Sequence, residues 1–116
     1  MIVVIQGTRG FEDYATFLRA MGTALSSKDD GDSEFYVYAV GPSNINSMGL
    51  EFMNISERTL KNNGVRSRLF KVPVTWAKQN IHNVDYLAYF SKPKEPLSDL
   101  VKLADSKDIE VGVYRY

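Results

Sequence analysis

The chain has 116 residues, 44% of them hydrophobic, with zero formal net charge and no Cys. This length predicts one domain spanning residues 1–116 with a core of its own. The missing Cys excludes a disulfide framework, a thiolate nucleophile and a cysteine metal site. Balanced charge argues against a general nucleic-acid binder, and no run approaches the roughly 18 apolar residues of a membrane span, so neither nucleic acid nor membrane is expected as a partner.

In chain order, Ile2 to Gln6 is a continuous apolar run, the pattern of a central buried strand. It leads into Gly7-Thr8-Arg9-Gly10-Phe11, a tight turn before a helix, where free amides and one cation face a common point and suit an anion. With Arg9, Glu12 and Asp13 so early, the start lacks the pattern of a secretory signal, and a cytoplasmic setting is expected. Tyr14, Leu18, Met21 and Leu25 recur at helical spacing and predict one buried face. The acidic segment Asp29 to Glu34 breaks the helix and reads as a solvated loop, since it lacks the ligand register of a calcium loop.

A second strand, Phe35 to Val40, ends at Gly41-Pro42. Ser43 is the expected N-cap of a helix whose inward face carries Ile45, Met48, Phe52 and Ile55, with Asn62-Asn63-Gly64 as its stop. Arg66 to Val72 is the third strand and Val84 to Phe90 the fourth, joined by a short helix after Pro73. A last helix starts near Pro96 with Leu97, Leu100, Val101 and Ala104 inward, and Ile109 to Tyr114 is the fifth strand. Arg58, Lys61, Arg66, Arg68, Lys71 and Lys78 lie in a stretch with no acid between Glu57 and Asp85, which reads as an edge strand guarded by charge or as a surface for an anion or a partner.

Strands alternating with helices predict a Rossmann-like three-layer α/β sandwich around a five-stranded, mainly parallel sheet of order 3-2-1-4-5. Ligands of such sheets bind beyond the carboxyl ends of the strands, at the point where strand order reverses. Thr8 and Arg9 should therefore face Ser91, Lys92 and Lys94 across a crevice between the first and fourth strands. The ligand site predicted on this rim comprises Gly7, Thr8, Arg9, Gly10, Gly41, Ser43, Asn44, Trp76, Ser91 and Lys92. Cations, loop amides and an indole suit a phosphate-bearing aromatic ligand such as a nucleotide.

Gly7-x-Arg9-x-Phe11, followed by acids and Tyr14, resembles the opening motif of the YspA-like branch of the SLOG superfamily, relatives of the lysine-decarboxylase-like, DprA and cytokinin-activating proteins. Pro73-Val74-Thr75-Trp76 is similar to the family's Pro-Ala-Asp-Trp, and Val84-Asp85-Tyr86-Leu87-Ala88-Tyr89-Phe90 to its Ala-Asp strand ending in Phe. The resemblance implies a divergent, minimised Rossmann-like domain that binds a nucleotide or nucleotide-derived ligand, often in sensing, phage-related or defence-related systems. The chain departs from the family at Gly41-Pro42-Ser43-Asn44-Ile45-Asn46-Ser47, which keeps only the first Gly of Gly-Gly-Ala-x-Gly-Ala-Asp, and at Ser91-Lys92-Pro93-Lys94-Glu95-Pro96, which replaces its Ser-x-Gly-Thr.

Catalytic chemistry finds few candidates. His82 is the only His, which excludes a His-based metal cluster within one chain, and neither a metal nor a cofactor is expected. Acid–base carboxylates would come from Glu12, Asp13, Glu51 or Glu95. Three readings stand. The first is a non-enzymatic sensor or sequestering protein for a nucleotide-like ligand, with an open pocket at the rim. The second is a nucleotide-processing enzyme of the glycosidic-bond hydrolase type, with Glu12 or Glu51 aimed into that pocket. The third is a protein-interaction module or phage-type inhibitor with a degenerate, closed pocket. Pairing through an edge strand also makes a homodimer an expectation.

Overall fold

The first strand, β1 (Ile2–Gly7), sits at the centre of a five-stranded sheet because nearly every one of its side chains is apolar and both of its faces are covered. The computed structural model describes residues 1–116 apart from the Ser43 side chain. In chain order β1 is followed by α1 (Tyr14–Ser26), β2 (Glu34–Val40), α2 (Ser43–Asn62), β3 (Arg66–Lys71), α3 (Val74–Gln79), a single 3₁₀ turn (Ile81–Asn83), β4 (Tyr86–Ser91), α4 (Asp99–Ser106) and β5 (Glu110–Arg115). All neighbouring strands pair in parallel and the order is β3-β2-β1-β4-β5, as the alternation of strand and helix patterns predicts. No helix among the described residues is long and apolar enough to cross a membrane.

Alternation along each strand divides the interior into two cores. Val3, Ile5, Phe35, Val37, Ala88 and Phe90 face α1 and α2, whereas Val4, Val40, Leu87 and Tyr89 face α3 and α4. All six residues of β4 are buried. On the first two helices Tyr14, Met21 and Leu25, and Ile45, Met48 and Phe52, pack on the core as predicted, whereas Leu18 and Ile55 do not. In α1 the buried stripe is Thr16, Phe17, Ala20, Met21 and Ala24, and Leu18 is 42% exposed, because the small Ala20 and Ala24 let the helix close on the sheet beside the large Phe17 ring. In α2, Phe52, Met53 and Leu60 are buried while Ile55 is 66% exposed. Leu97 is likewise outside the core, since α4 starts at Asp99 with Ser98 as N-cap rather than near Pro96.

The two crossovers at the β3 side differ in reach. At a rise of about 1.5 Å per residue, the 20-residue α2 spans the full height of the sheet, whereas the six-residue α3 covers about 9 Å of the opposite face. Consequently Tyr36, Tyr38 and Phe70 on that face are only half-buried, and β3 is an edge strand with Arg66, Arg68 and Lys71 in solvent.

Candidate functional site

All five strands end on one rim, so the rim gathers the residues that follow each of them. The chain turns sharply after β1, with Gly10 at φ +90°. After β2, Gly41 adopts φ +108°, and a Cβ there would stand 3.1 Å from the Gly7 carbonyl oxygen, so the two loops approach closely only because Gly41 lacks one. Asn44 fastens them further: its side-chain amide donates to the Phe11 carbonyl and its Oδ1 accepts from the Ile45 N–H at 3.1 Å.

The reversal point between β1 and β4 is filled by the protein itself. Phe11 is fully buried, stacked on Phe90 at 4.6 Å and tilted against Tyr116 at 4.8 Å between ring centroids. The Thr8 N–H donates to the Phe90 carbonyl at 3.0 Å, and the Thr8 hydroxyl pairs with the Tyr116 hydroxyl at 2.7 Å and reaches Glu95 Oε1 at 3.5 Å. Across the crevice the 91–96 loop folds back on itself. Glu95 Oε1 accepts from the Lys92 N–H at 3.1 Å, and the Arg115 guanidinium donates to Ser91 Oγ, to the Lys92 carbonyl at 3.0 Å and to the Glu95 carbonyl at 2.9 Å. Burial, and secondarily the Glu95 carboxylate, push the Tyr89 hydroxyl above its ordinary value, so it stays a neutral donor to the Pro96 carbonyl at 3.3 Å.

The opposite half of the rim is open. A cleft of about 610 Å³ lies over the ends of β1, β2 and β3, bounded by Gln6, Gly41, Lys71, Val72, Pro73 and Val74. Its volume is within the roughly 300–1,000 Å³ of small-molecule sites. The α2 helix starts beside it. Pro42 occupies the N-cap position expected of Ser43 and offers no side-chain cap, in contrast to Asp13 on α1 and Ser98 on α4, which both cap their helices. In the first turn of α2 the Ile45 N–H is instead shared by the Pro42 carbonyl and Asn44 Oδ1, both at 3.1 Å.

The predicted site residues therefore divide. Gly7, Gly10, Gly41 and Asn44 shape the adjoining β1 and β2 loops, and Arg9 stands exposed in the β1 loop with no ion pair among the described residues. Thr8 is half-buried in the filled crevice, Ser91 is 0% exposed with its hydroxyl taken by Arg115, and Lys92 lends backbone groups to the same loop. Trp76 is stacked on Tyr38 at 4.3 Å, packed in the second core. The Ser43 side chain lies outside the described residues. Glu12 and Glu51 are exposed and bound neither the crevice contacts nor the cleft. No group of three or more His, Asp or Glu among the described residues is placed to hold a metal ion.

Sequence reasoning named Lys71 in the basic stretch without placing it on the rim, and missed Arg115 and Tyr116. The parallel order it predicted carried the signal: β3 and β5 end on the same rim, so the last residue of β3 and the residues closing β5 belong there with the loops that follow β1, β2 and β4. Compared with known proteins, the chain matches no family model, no curated protein and no solved structure.

Proposed function

We propose that this protein binds a nucleotide or nucleotide-derived anion in the open half of its strand-end rim, acting as a non-enzymatic sensor or sequestering protein. The observation that carries this reading is the 610 Å³ cleft at the carboxyl ends of β1, β2 and β3, the end of a parallel sheet at which ligands dock. Lys71 on its wall and the Gly41 backbone favour a negative group there, and Arg9 is an exposed cation in the loop after β1, with no ion pair among the described residues. The likeness of Gly7-x-Arg9-x-Phe11 to the SLOG opening motif points toward the same ligand class. Glu95, the carboxylate nearest the reversal point, holds the 91–96 loop and the Thr8 hydroxyl, a positioning duty rather than an acid–base one.

One observation favours a second reading, a protein-interaction module with a degenerate pocket: the β1–β4 crevice, where such folds usually take their ligand, is occupied by Phe11 and Tyr116.

A thermal-shift screen with AMP, ADP, cyclic AMP, ADP-ribose and inorganic phosphate separates the two. A ligand at a hundred times its Kd stabilises the native state by about 2.7 kcal/mol, which raises Tm by several degrees. The expected result is a shift with at least one nucleotide that is lost in Lys71→Glu and weakened in Arg9→Ala. A cooperative melt unmoved by every nucleotide would leave the interaction-module reading in its place.

A further inference from the structure

The β3 edge carries a second surface that the rim does not use. Arg66 donates its backbone N–H to the Ser33 carbonyl at 2.7 Å and Val72 donates to the Ala39 carbonyl at 3.0 Å, so the even-numbered residues of this strand bond to β2. By the alternation of a parallel ladder, the N–H and C=O groups of Ser67 and Leu69 point away from the sheet, unpaired by any neighbouring strand. Alongside them runs a groove of about 440 Å³, with Lys61, Arg66 and Arg68 against the single acid Glu57. Arg66 is a weakly engaged cation, 75% exposed and 3.4 Å from Glu34. Arg68 has no ion pair among the described residues and lies over the Phe70 ring at 5.2 Å.

We propose that this edge binds an extended acidic peptide by strand addition, with alternate carboxylates set against Arg66 and Arg68. An added strand would lie about 4.8 Å from β3, and its side chains on one face would recur every second residue, the spacing at which Arg66 and Arg68 stand. The charge complementarity is one-sided: from Arg58 to Val84 the chain contains no Asp or Glu. A second copy of the chain fits poorly, because two β3 edges would bring Arg66 and Arg68 against their own like charges. A single-stranded nucleic acid fits poorly too. The rings beside the edge are engaged with one another, Tyr38 lying between Phe70 at 4.8 Å and Trp76 at 4.3 Å, which leaves little free face for a base.

The test is fluorescence anisotropy with a labelled, end-capped (Glu-Thr)₄ peptide and its (Lys-Thr)₄ counterpart. Measurements cover the intact chain, Arg68→Glu and Ser67→Pro, with circular dichroism confirming that each variant is folded. Pro is tolerated on an edge strand where its N–H would face solvent, so Ser67→Pro removes one outward donor and leaves β2–β3 pairing in place. The expected result is binding of the acidic peptide alone. Ser67→Pro should lower its affinity by about tenfold, the effect of losing one or two main-chain hydrogen bonds. Arg68→Glu should abolish acidic-peptide binding. Absence of binding overturns the proposal, as does binding that is indifferent to Ser67→Pro, which would be mere attraction to surface charge. A chain whose mass doubles on light scattering and reverts in Ser67→Pro would assign the edge to a second copy instead. An oligothymidylate that displaces the peptide and binds Ser67→Pro equally well would assign the surface to nucleic acid.

Discussion

The two halves of the strand-end rim are built from the same kinds of loop, yet one is packed and the other open. Over β1 and β4 the chain supplies its own occupants: Phe11 between Phe90 and Tyr116, and Arg115 bound to the 91–96 loop. Over β2 and β3 nothing comparable returns to the rim, because β3 is an edge and the α3 crossover is short. The fold places both halves where a ligand could sit, and side-chain content decides which remains available.

The largest expected effect tests whether the filled half is structural. Phe11→Ala should remove about 3–5 kcal/mol of stability, the range for deleting a buried aromatic ring. Denaturant unfolding measures it, and a loss below about 1 kcal/mol would show that the crevice is not part of the core.

Gly112 sharpens the same point from β5. A Cβ there would stand 2.0 Å from the Tyr86 hydroxyl, which pairs with the Tyr114 hydroxyl at 2.7 Å across that strand. Gly112→Ala should therefore destabilise by about 1–3 kcal/mol through overpacking, read as a lower urea midpoint.

Tyr116→Phe keeps the ring on Phe11 and removes only the bond to Thr8, so about 0.5–1.5 kcal/mol should be lost. A much larger loss would make the hydroxyl pair, rather than ring packing, the element that closes the crevice.

The smallest effect concerns the capped helix starts. The Thr16 hydroxyl, followed by the Thr16 N–H, holds the Asp13 carboxyl below the usual carboxylate range. A lowered folded value means that this contribution is present above the ordinary Asp value and is lost as pH falls through the lowered one. Melting curves across the acid range should show a shallower decline in Asp13→Asn than in the intact chain. Asp13 is solvent-exposed, so the difference should shrink at high salt.

Strand order, the two-layer helical cover and the shortness of α3 were legible in the sequence, because continuous apolar strands separated by helical patterns admit few arrangements. The edge position of the basic strand was legible from Arg66 and Arg68 at alternate positions. Helix faces were legible except at their margins: Leu18 and Ile55 fit the spacing of a buried stripe, but the contact with the sheet is shared with Ala20, Ala24 and Met53 instead. The rim residues were visible as a set, whereas their division into packed and open halves depends on Phe11 turning inward and on Tyr116 meeting Thr8, a contact spanning 108 residues. No local pattern encodes that pairing. The stacking of Trp76 on Tyr38 was illegible for a similar reason, since Tyr38 comes from β2 and meets it only once α3 has folded onto the sheet.

The most direct measurement is an NMR titration of ¹⁵N-labelled protein with AMP, ADP-ribose and inorganic phosphate. If the open half is the ligand site, amide shifts should concentrate at Gly41, Lys71, Val72 and Val74 and leave Thr8, Ser91 and Lys92 unmoved. Shifts concentrated at Thr8, Ser91 and Lys92, or none with any of the three, would contradict the assignment of ligand binding to the β1–β2–β3 side of the rim.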